Sequence, residues 1–284
     1  MRVSECPTTS KKKREEASRK ATLFAALALL ALTCTRAAPT QPPRPRHVVT
    51  LAPNVTEMVS AVGCGPKIVG TDNFSDYPER VKRLPKVGGV EPDVEKIAAL
   101  HPDLVIASAS GVHPNLRRAL NAVRIPLLVI RTDRLPDVAA AMNQIGARLG
   151  CPTVVTVATA LERQRRRRVK MPRVLFAVWT SPLYVAGAST YMDDLFELTG
   201  ARNAVRVEGW PQYSLEVLAT SPPDLLLYPN RSVSPAAVAE LMRRAKLKVE
   251  AVGVDENVFT RPGPRIVLAA AELNRIFDQW ERSH

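Results

Sequence analysis

Residues 95–107 have the sequence Glu95-Lys-Ile-Ala-Ala-Leu-His-Pro102-Asp103-Leu-Val-Ile-Ala107, and residues 216–228 have the sequence Glu216-Val-Leu-Ala-Thr-Ser-Pro-Pro223-Asp224-Leu-Leu-Leu-Tyr228. In both segments, which begin 121 residues apart, Glu stands seven residues before Pro and eight before Asp, and an apolar run follows. A capping residue, Asp93 or Ser214, precedes each Glu by two positions. Each Glu should therefore lie in the first turn of a helix, where the helix dipole favours a carboxylate. The Pro-Asp pair then ends the helix, and the apolar run forms a buried strand.

This repeat indicates two similar lobes. Any α/β protein could contain a helix–turn–strand unit twice, but the matching register of Glu, Pro and Asp favours a true internal duplication. Along the rest of the chain, short apolar runs alternate with helical patterns, which predicts parallel strands with helices on both faces. We therefore expect an α/β fold of two similar lobes, each with a parallel-type sheet flanked by helices. Ligands bind at the carboxyl ends of parallel strands, so two facing lobes predict a cleft.

The two lobes are predicted over residues 47–150 and 171–284. The segment between them, residues 151–170, is predicted to form an inter-lobe helix. Apolar residues at helical spacing support this helix, among them Ala158 and Leu161.

The N-terminus indicates export. Basic residues at 11–14 and 19–20 precede an apolar run over residues 21–33, which is typical of a signal peptide and too short for a comfortable transmembrane span. We predict a signal peptide or lipoprotein leader over residues 1–37 and a Pro-rich tether over residues 38–46. Cleavage after Ala37 would release the protein into the periplasm. Cleavage before Cys34 would leave it lipid-anchored to the outside of the cytoplasmic membrane.

Composition and motifs limit the range of possible functions. The net charge of +13 comes partly from the leader and partly from arginines within residues 163–168, which we expect to end a helix and stay solvated. No aromatic residues interleave with them, so no nucleic-acid partner is predicted. The chain carries no P-loop, no nucleophile elbow and no Gly-x-Gly-x-x-Gly pattern, and it is predicted not to be an enzyme. An exported enzyme and a surface adhesion module remain as remote alternatives.

The cysteines and histidines do not indicate a metal-binding site. The four histidines are scattered and form no ligand motif, so no metal site is predicted. Cys64 and Cys151 both belong to the mature chain, and an exported pair could form a disulfide. Sequence alone leaves that pairing open.

Several motifs, in this order along the chain, resemble one known family. They are Leu51-Ala-Pro53-Asn54-Val-Thr-Glu57, Gly70-Thr-Asp-Asn-Phe74-Ser-Asp76-Tyr77-Pro78, Val87-Gly-Gly89, Pro102-Asp103-Leu-Val-Ile, Trp210-Pro-Gln212 and Arg261-Pro-Gly-Pro264-Arg265. Together they resemble the substrate-binding proteins of ABC importers for cobalamin, haem and iron-siderophores, and the nearest likeness is to the cobalamin-binding branch. The resemblance covers roughly residues 46–280 and implies two α/β lobes joined by one rigid backbone helix.

The resemblance also implies what the protein binds. It implies a cobalamin-type corrinoid in the cleft, with haem or an iron(III)-siderophore as the alternative, and no intrinsic cofactor. It further implies a monomer when free and delivery of the ligand to a dimeric membrane permease. The expected ligand-binding residues lie in loops after strands and are Pro53, Asn54, Phe74, Tyr77, Val90, Trp179, Tyr184, Trp210, Asn257, Phe259 and Arg261.

Three of the candidate residues carry charge. Arg261 bears on the choice of ligand, because a carboxylate of haem or a siderophore would give it a partner, whereas neutral corrin amides would not need its charge. Glu95 and Glu216 match acidic positions that in the family meet arginines on the permease. We therefore expect both glutamates to be exposed, one on each lobe, and to dock the permease.

Overall fold

The structure, a computed structural model, describes residues 44–151 and 156–284. The predicted leader, with Cys34 and Ala37, lies outside the described residues. So do residues 38–43 of the predicted tether and residues 152–155 at the start of the predicted inter-lobe helix. Within the described part of the chain, no helix is both long enough and apolar enough to cross a membrane.

A four-stranded parallel sheet forms the centre of the N-terminal lobe. Its strands are β1 (Val48–Thr50), β2 (Ile68–Thr71), β3 (Leu104–Ser108) and β4 (Leu127–Ile130). They lie in the order β2-β1-β3-β4, and every pairing is parallel. The helices of this lobe are α1 (Pro53–Val59), α2 (Val94–Ala99), α3 (Pro114–Ala122) and α4 (Leu135–Leu149). The central strands β1 and β3 are almost fully buried and apolar, as expected for strands covered on both faces.

The C-terminal lobe repeats this arrangement after a short connecting helix, α5 (Val157–Glu162). Its strands are β5 (Arg173–Thr180), β6 (Leu183–Val185), β7 (Arg202–Asn203), β8 (Leu225–Pro229) and β9 (Glu250–Val254). Its helices are α6 (Tyr191–Leu198), α7 (Leu215–Thr220), α8 (Pro235–Arg244), α9 (Glu256–Phe259) and α10 (Ile266–Ser283). The parallel strands pair in the order β7-β5-β8-β9, which matches β2-β1-β3-β4, and β6 adds an antiparallel partner to β5. The expected fold of two similar lobes with mostly parallel sheets is confirmed.

The sequence repeat has a structural counterpart at its aspartates. Asp103 Oδ2 accepts hydrogen bonds from the backbone N–H groups of Arg46 (2.7 Å) and His47 (2.9 Å), just before β1. Asp224 Oδ2 accepts the equivalent bond from Arg173 N–H (2.7 Å), at the start of β5. Each aspartate therefore ties the start of one strand to the start of the central strand beside it, which explains the matching register.

The two lobes share one apolar core. The largest cluster of buried side chains includes Met58 of α1 and Ile145 of α4 from the first lobe, together with Phe196 of α6 and Phe277 of α10 from the second. Smaller clusters cover the opposite faces of the two sheets. Burial of each such side chain contributes about 1.5–3 kcal/mol, so this shared core opposes separation of the lobes.

The segment between the lobes differs from the predicted helix over residues 151–170. Among its described residues, only Val157–Glu162 form a helix, and residues 163–170 do not. The physical reason lies at Arg168, whose side chain is almost fully buried instead of solvated. Its guanidinium donates to Thr199 O (2.9 Å) and Asn274 O (3.1 Å) and pairs with Asp278 and Glu281, so it fixes the chain against α10.

A disulfide joins Cys64 to Cys151, with 5.8 Å between the Cα atoms and a sequence separation of 87. Cys64 ends the turn after α1. Cys151 follows Gly150, which ends α4 in the left-handed conformation (φ 68°) that glycine adopts without steric cost. The disulfide therefore fixes the start of the connecting segment to the N-terminal lobe.

Candidate ligand-binding cleft

A cavity of about 540 Å³ lies between the lobes, within the size range of small-molecule sites. The residues that follow β1, β3, β4 and β9 all contribute to its lining, so it stands at the carboxyl ends of strands from both sheets. This is where open parallel sheets bind ligands. The lining residues are Ala52, Pro53, Asn54, Phe74, Ser108, Ala109, Ser110, Thr132, Asp133, Phe176, Val178, Tyr191, Trp210, Glu256, Thr260, Arg261 and Pro262.

Two exposed aromatic rings, one from each lobe, line this cavity. Phe74 of the N-terminal lobe is 55% exposed, and Trp210 of the C-terminal lobe is 41% exposed. The Trp210 ring rests on Tyr191, with 5.4 Å between the ring centroids. Backbone bonds hold its loop in place, since Gly187 N–H donates to Gly209 O (2.8 Å) and Gly209 N–H donates to Ala188 O (2.9 Å). The cavity thus offers large apolar faces on firmly held loops.

A buried polar network positions the loop that carries Phe74. Thr56 Oγ1 bonds to Thr50 Oγ1 (2.6 Å) and to Ser75 Oγ (2.7 Å), and Ser75 Oγ donates to Asp72. Asp72 also accepts a bond from Phe74 N–H (3.1 Å). Burial raises the pKa of Asp72, and the bonds from Ser75 and Phe74 offset only part of that effect. The network ties α1, the end of β1 and this loop together, and so accounts for the polar residues of the motif around Phe74.

The floor of the cavity contains an amide that bridges the lobes. Asn54 Nδ2 donates to Thr132 Oγ1 (3.4 Å) in the N-terminal lobe and to Pro262 O (3.3 Å) in the C-terminal lobe. Asn54 follows Pro53, the first residue of α1, whose ring is compatible with the start of a helix.

Four charged groups meet across the lobe boundary at one edge of the cavity. Arg261 Nη1 donates to Asp76 Oδ1 (2.6 Å) and lies 3.5 Å from Glu57 Oε1. Arg265 donates two hydrogen bonds to the Glu57 carboxylate (2.6 and 2.8 Å). Its guanidinium lies over the ring of Tyr77, 4.4 Å from the ring centre. Burial opposes the ionisation of Asp76, but the hydrogen bond and charge of Arg261 outweigh it and lower the pKa of Asp76. The bond to Glu57 raises the pKa of Arg265.

Tyr191 lies at the back of the cavity. Its hydroxyl donates to Phe259 O (3.1 Å), and burial raises its pKa well above the usual value. The phenol therefore stays protonated and already has a partner for its proton.

Residues 48–254 match the family described as periplasmic binding protein. The chain belongs to this family. It is 28% identical over 241 residues to a vitamin B12-binding protein of Pectobacterium carotovorum, and the match covers 81% of this chain and 87% of that relative.

Two solved structures illustrate the likeness of fold. The periplasmic vitamin B12-binding protein of Vibrio cholerae superposes with a TM-score of 0.72 at 21% identity, covering 84% of this chain and 99% of that one. A periplasmic haem-binding protein from Pseudomonas aeruginosa superposes with a TM-score of 0.67 at 26% identity, covering 82% of this chain and 92% of that one. The chain is thus a substrate-binding protein of the periplasmic binding protein family.

Five of the predicted ligand-binding residues of this family member line the inter-lobe cavity. They are Pro53, Asn54, Phe74, Trp210 and Arg261. The others are not part of the lining. Tyr77 stacks on Arg265, and Trp179 and Tyr184 are exposed neighbours on paired strands β5 and β6. Val90 lines a separate cavity of about 320 Å³ on the N-terminal lobe.

Phe259 and Asn257 of the second lobe are not part of the lining. Phe259 is fully buried, and its ring stacks on Phe176 with 6.3 Å between centroids, because α9 turns it into the core instead of leaving it in a loop. Asn257 lies in the same helix, where its backbone carbonyl accepts a bond from Arg265 (3.3 Å). Phe176, which lines the cavity, takes the place that the sequence assigned to Phe259.

Sequence reasoning missed several residues of the lining. Ser108, Ala109, Ser110 and Thr132 are small or weakly polar and match no chemical motif, but each lies at or just after the end of β3 or β4. Their position at strand ends was the signal that could have found them.

Glu95 and Glu216 occupy equivalent positions on the two lobes. Each lies in the first turn of its helix, α2 or α7, behind a capping side chain: Asp93 accepts from Glu95 N–H (3.0 Å), and Ser214 accepts from Glu216 N–H (3.1 Å). Both side chains are exposed, and neither makes an ion pair with any residue that the structure describes. The expected exposure of one glutamate on each lobe is confirmed, and docking remains a proposal.

Proposed function

We propose that this protein captures a cobalamin-type corrinoid in the inter-lobe cavity and delivers it, chemically unaltered, to the permease of an ABC importer. It acts outside the cytoplasmic membrane, either free in the periplasm or lipid-anchored. Glu95 and Glu216 dock the two lobes onto the permease dimer.

The observation that carries this proposal is the pair of exposed rings, Phe74 and Trp210, which reach one cavity from opposite lobes. A corrin is broad and mostly apolar, with amides at its rim. Aromatic faces pack on such a ring over a large area, and a few polar groups such as the Asn54 amide set its orientation. The sequence relatives named vitamin B12-binding proteins support the same ligand.

Haem is the second candidate, and the likeness to the haem-binding protein from Pseudomonas aeruginosa favours it. Haem iron is held in proteins by His, Cys, Met or Tyr side chains. Among the described residues that line the cavity, Tyr191 is the one side chain of these types. Its hydroxyl is engaged with Phe259 O, and burial holds it protonated, so ligation of iron by this phenol would be costly. The corrinoid is therefore the better-supported ligand.

The test is calorimetric titration of the purified protein with cyanocobalamin, haemin and a ferric hydroxamate siderophore. We expect saturable cyanocobalamin binding of micromolar or tighter affinity. Phe74→Ala and Trp210→Ala should each weaken it by about tenfold or more, since each removes a large apolar face. Leu268→Ala, which truncates an exposed apolar side chain on α10, is the matched control and should leave affinity unchanged. Tight binding of haemin or the siderophore without cyanocobalamin binding would contradict this proposal and show that the ligand is haem or a siderophore.

A further inference from the structure

The charge of Arg261 is already neutralised inside the protein. Its side chain is 16% exposed and contacts two carboxylates, Asp76 at 2.6 Å and Glu57 at 3.5 Å. The second arginine of this edge, Arg265, is 20% exposed and is held by both oxygens of Glu57. Two guanidiniums thus face two carboxylates, and the group has no net charge.

The other described residues of the cavity lining add no cation. Within the described ranges, Arg261 is the only lysine or arginine that lines it. The other charged lining residues are carboxylates: Asp133, which pairs with Arg131 outside the lining (2.7 Å), and Glu256, which accepts a bond from Ser232 N–H (2.7 Å). A ligand in this cavity therefore meets one guanidinium, that of Arg261, and this group is already paired with carboxylates.

A carboxylate on the ligand would bind poorly at this edge. To reach Arg261 it would have to approach Asp76 and Glu57, and like charges brought together at an interface cost several kcal/mol. An amide at the ligand rim carries no charge, so it avoids that cost.

We propose that Asp76 is a specificity-determining residue that masks Arg261, so that the cavity accepts metal–tetrapyrrole chelates with an amide rim and rejects those with free carboxylates. This deepens the proposed function and rests on it. Glu57 holds Arg265 and is needed for the lobe contact, whereas Asp76 lies at the outer side of the group with its side chain half-exposed. Asp76 can therefore be changed with less damage to the fold.

The probes are two corrinoids that share the ring and differ at its rim: dicyanocobinamide, whose rim carries amides, and dicyanocobyrinic acid, whose rim carries carboxylates. The wild type should bind dicyanocobinamide at least about 100-fold more tightly, since one repelled charge at this edge is worth several kcal/mol. Asp76→Asn keeps the shape of the side chain and removes its charge. It should increase the affinity for dicyanocobyrinic acid by about tenfold or more and change the affinity for dicyanocobinamide by less than about threefold.

The increased affinity of Asp76→Asn for dicyanocobyrinic acid should depend on Arg261. In the double variant Asp76→Asn with Arg261→Gln, the improved binding of dicyanocobyrinic acid should disappear, which a merely structural role of Asp76 would not produce. Glu240→Gln removes a carboxylate paired with Arg243 on α8, away from the cavity, and should leave the ratio of the two affinities unchanged. Thermal melts followed by circular dichroism check that each variant is folded.

The outcomes separate this inference from the proposed function. If the wild type binds both corrinoids with similar affinity, or if folded Asp76→Asn keeps the wild-type ratio, the proposed function stands and the masking role is wrong. If the wild type binds neither corrinoid, both are wrong.

Discussion

Arg265 and Glu57 join the two lobes through a pair of hydrogen bonds of 2.8 and 2.6 Å, and the Glu57 side chain is only 1% exposed. Glu57 lies in α1 of the first lobe, and Arg265 immediately precedes α10 of the second. A carboxylate so deeply buried is tolerated because the guanidinium supplies both the opposite charge and two donors. The same pair places Arg265 over Tyr77 and so connects the lobe boundary with the edge of the cavity.

Removal of one partner from this pair should be strongly destabilising. Glu57→Gln leaves Arg265 without its countercharge in a mostly buried position, and we expect the free energy of unfolding to fall by about 3 kcal/mol. Urea unfolding followed by far-UV circular dichroism measures it. Replacement of both partners, Glu57→Met with Arg265→Met, should cost less than the sum of the two single changes because no buried charge is left unpaired.

The control for that series is Glu95→Gln, which removes an exposed carboxylate from the same lobe and should change the unfolding free energy by less than about 0.5 kcal/mol. A loss below about 1 kcal/mol for Glu57→Gln would contradict the role of the pair in holding the lobes together.

The Cys64–Cys151 disulfide should contribute to stability because it restricts a long loop of the unfolded chain. Cys64→Ser with Cys151→Ser should lower the unfolding free energy by about 2–4 kcal/mol. Dithiothreitol should destabilise the wild type by a similar amount and leave the double variant unaffected, and urea unfolding with and without the reductant tests both statements. Wild type that does not respond to dithiothreitol would show that the two thiols are not joined in solution.

Most of the fold could be predicted from the sequence because its signals are local. Caps at Asp93 and Ser214, and alternating apolar runs, indicate two α/β lobes with mostly parallel sheets, which is the fold observed. The inter-lobe segment could not be predicted in the same way, because what ends α5 is the distant contact of Arg168 with Asn274 and its neighbours on α10. Helical periodicity carries no information about such a partner.

The candidate site also combines features that local sequence indicates with features that depend on distant contacts. Trp210 and Arg261 stand beside Gly or Pro in loops, where both were expected to reach the cleft, and both line the cavity. Phe259 was placed wrongly because the short helix α9, invisible to periodicity, turns it onto Phe176. The ion pair of Arg261 with Asp76 joins residues 185 positions apart, and no local pattern reports it.

The lobes should move little relative to each other when ligand binds. They share a continuous apolar core, and several ion pairs cross their boundary, among them Arg265 with Glu57 and Arg134 with Asp194, which also accepts a bond from Leu135 N–H (2.8 Å). Small-angle scattering of free and loaded protein should give radii of gyration within about 1 Å of each other. The variant Glu57→Gln with Asp194→Asn removes both pairs and should show a larger difference. A marked compaction of the wild type on loading would mean that the shared core opens in the free protein.

Charge reversal at Glu95 and Glu216 should separate transport from ligand binding. Both carboxylates are exposed at helix starts, one on each lobe, and make no ion pair within the described chain, so their replacement leaves the cavity and the core intact. Charge pairs across an interface steer association and fix its register more than they add affinity. Glu95→Arg with Glu216→Arg should therefore retain wild-type ligand affinity by calorimetry. Uptake of labelled ligand by cells or proteoliposomes with the cognate permease should be abolished, and each single change should impair uptake less.

The control for charge reversal is Glu197→Arg with Glu250→Arg, which reverses two other exposed carboxylates of the C-terminal lobe and should leave uptake unchanged. Normal uptake by the Glu95/Glu216 variant, or loss of its ligand binding, would mean that the permease contacts a different surface.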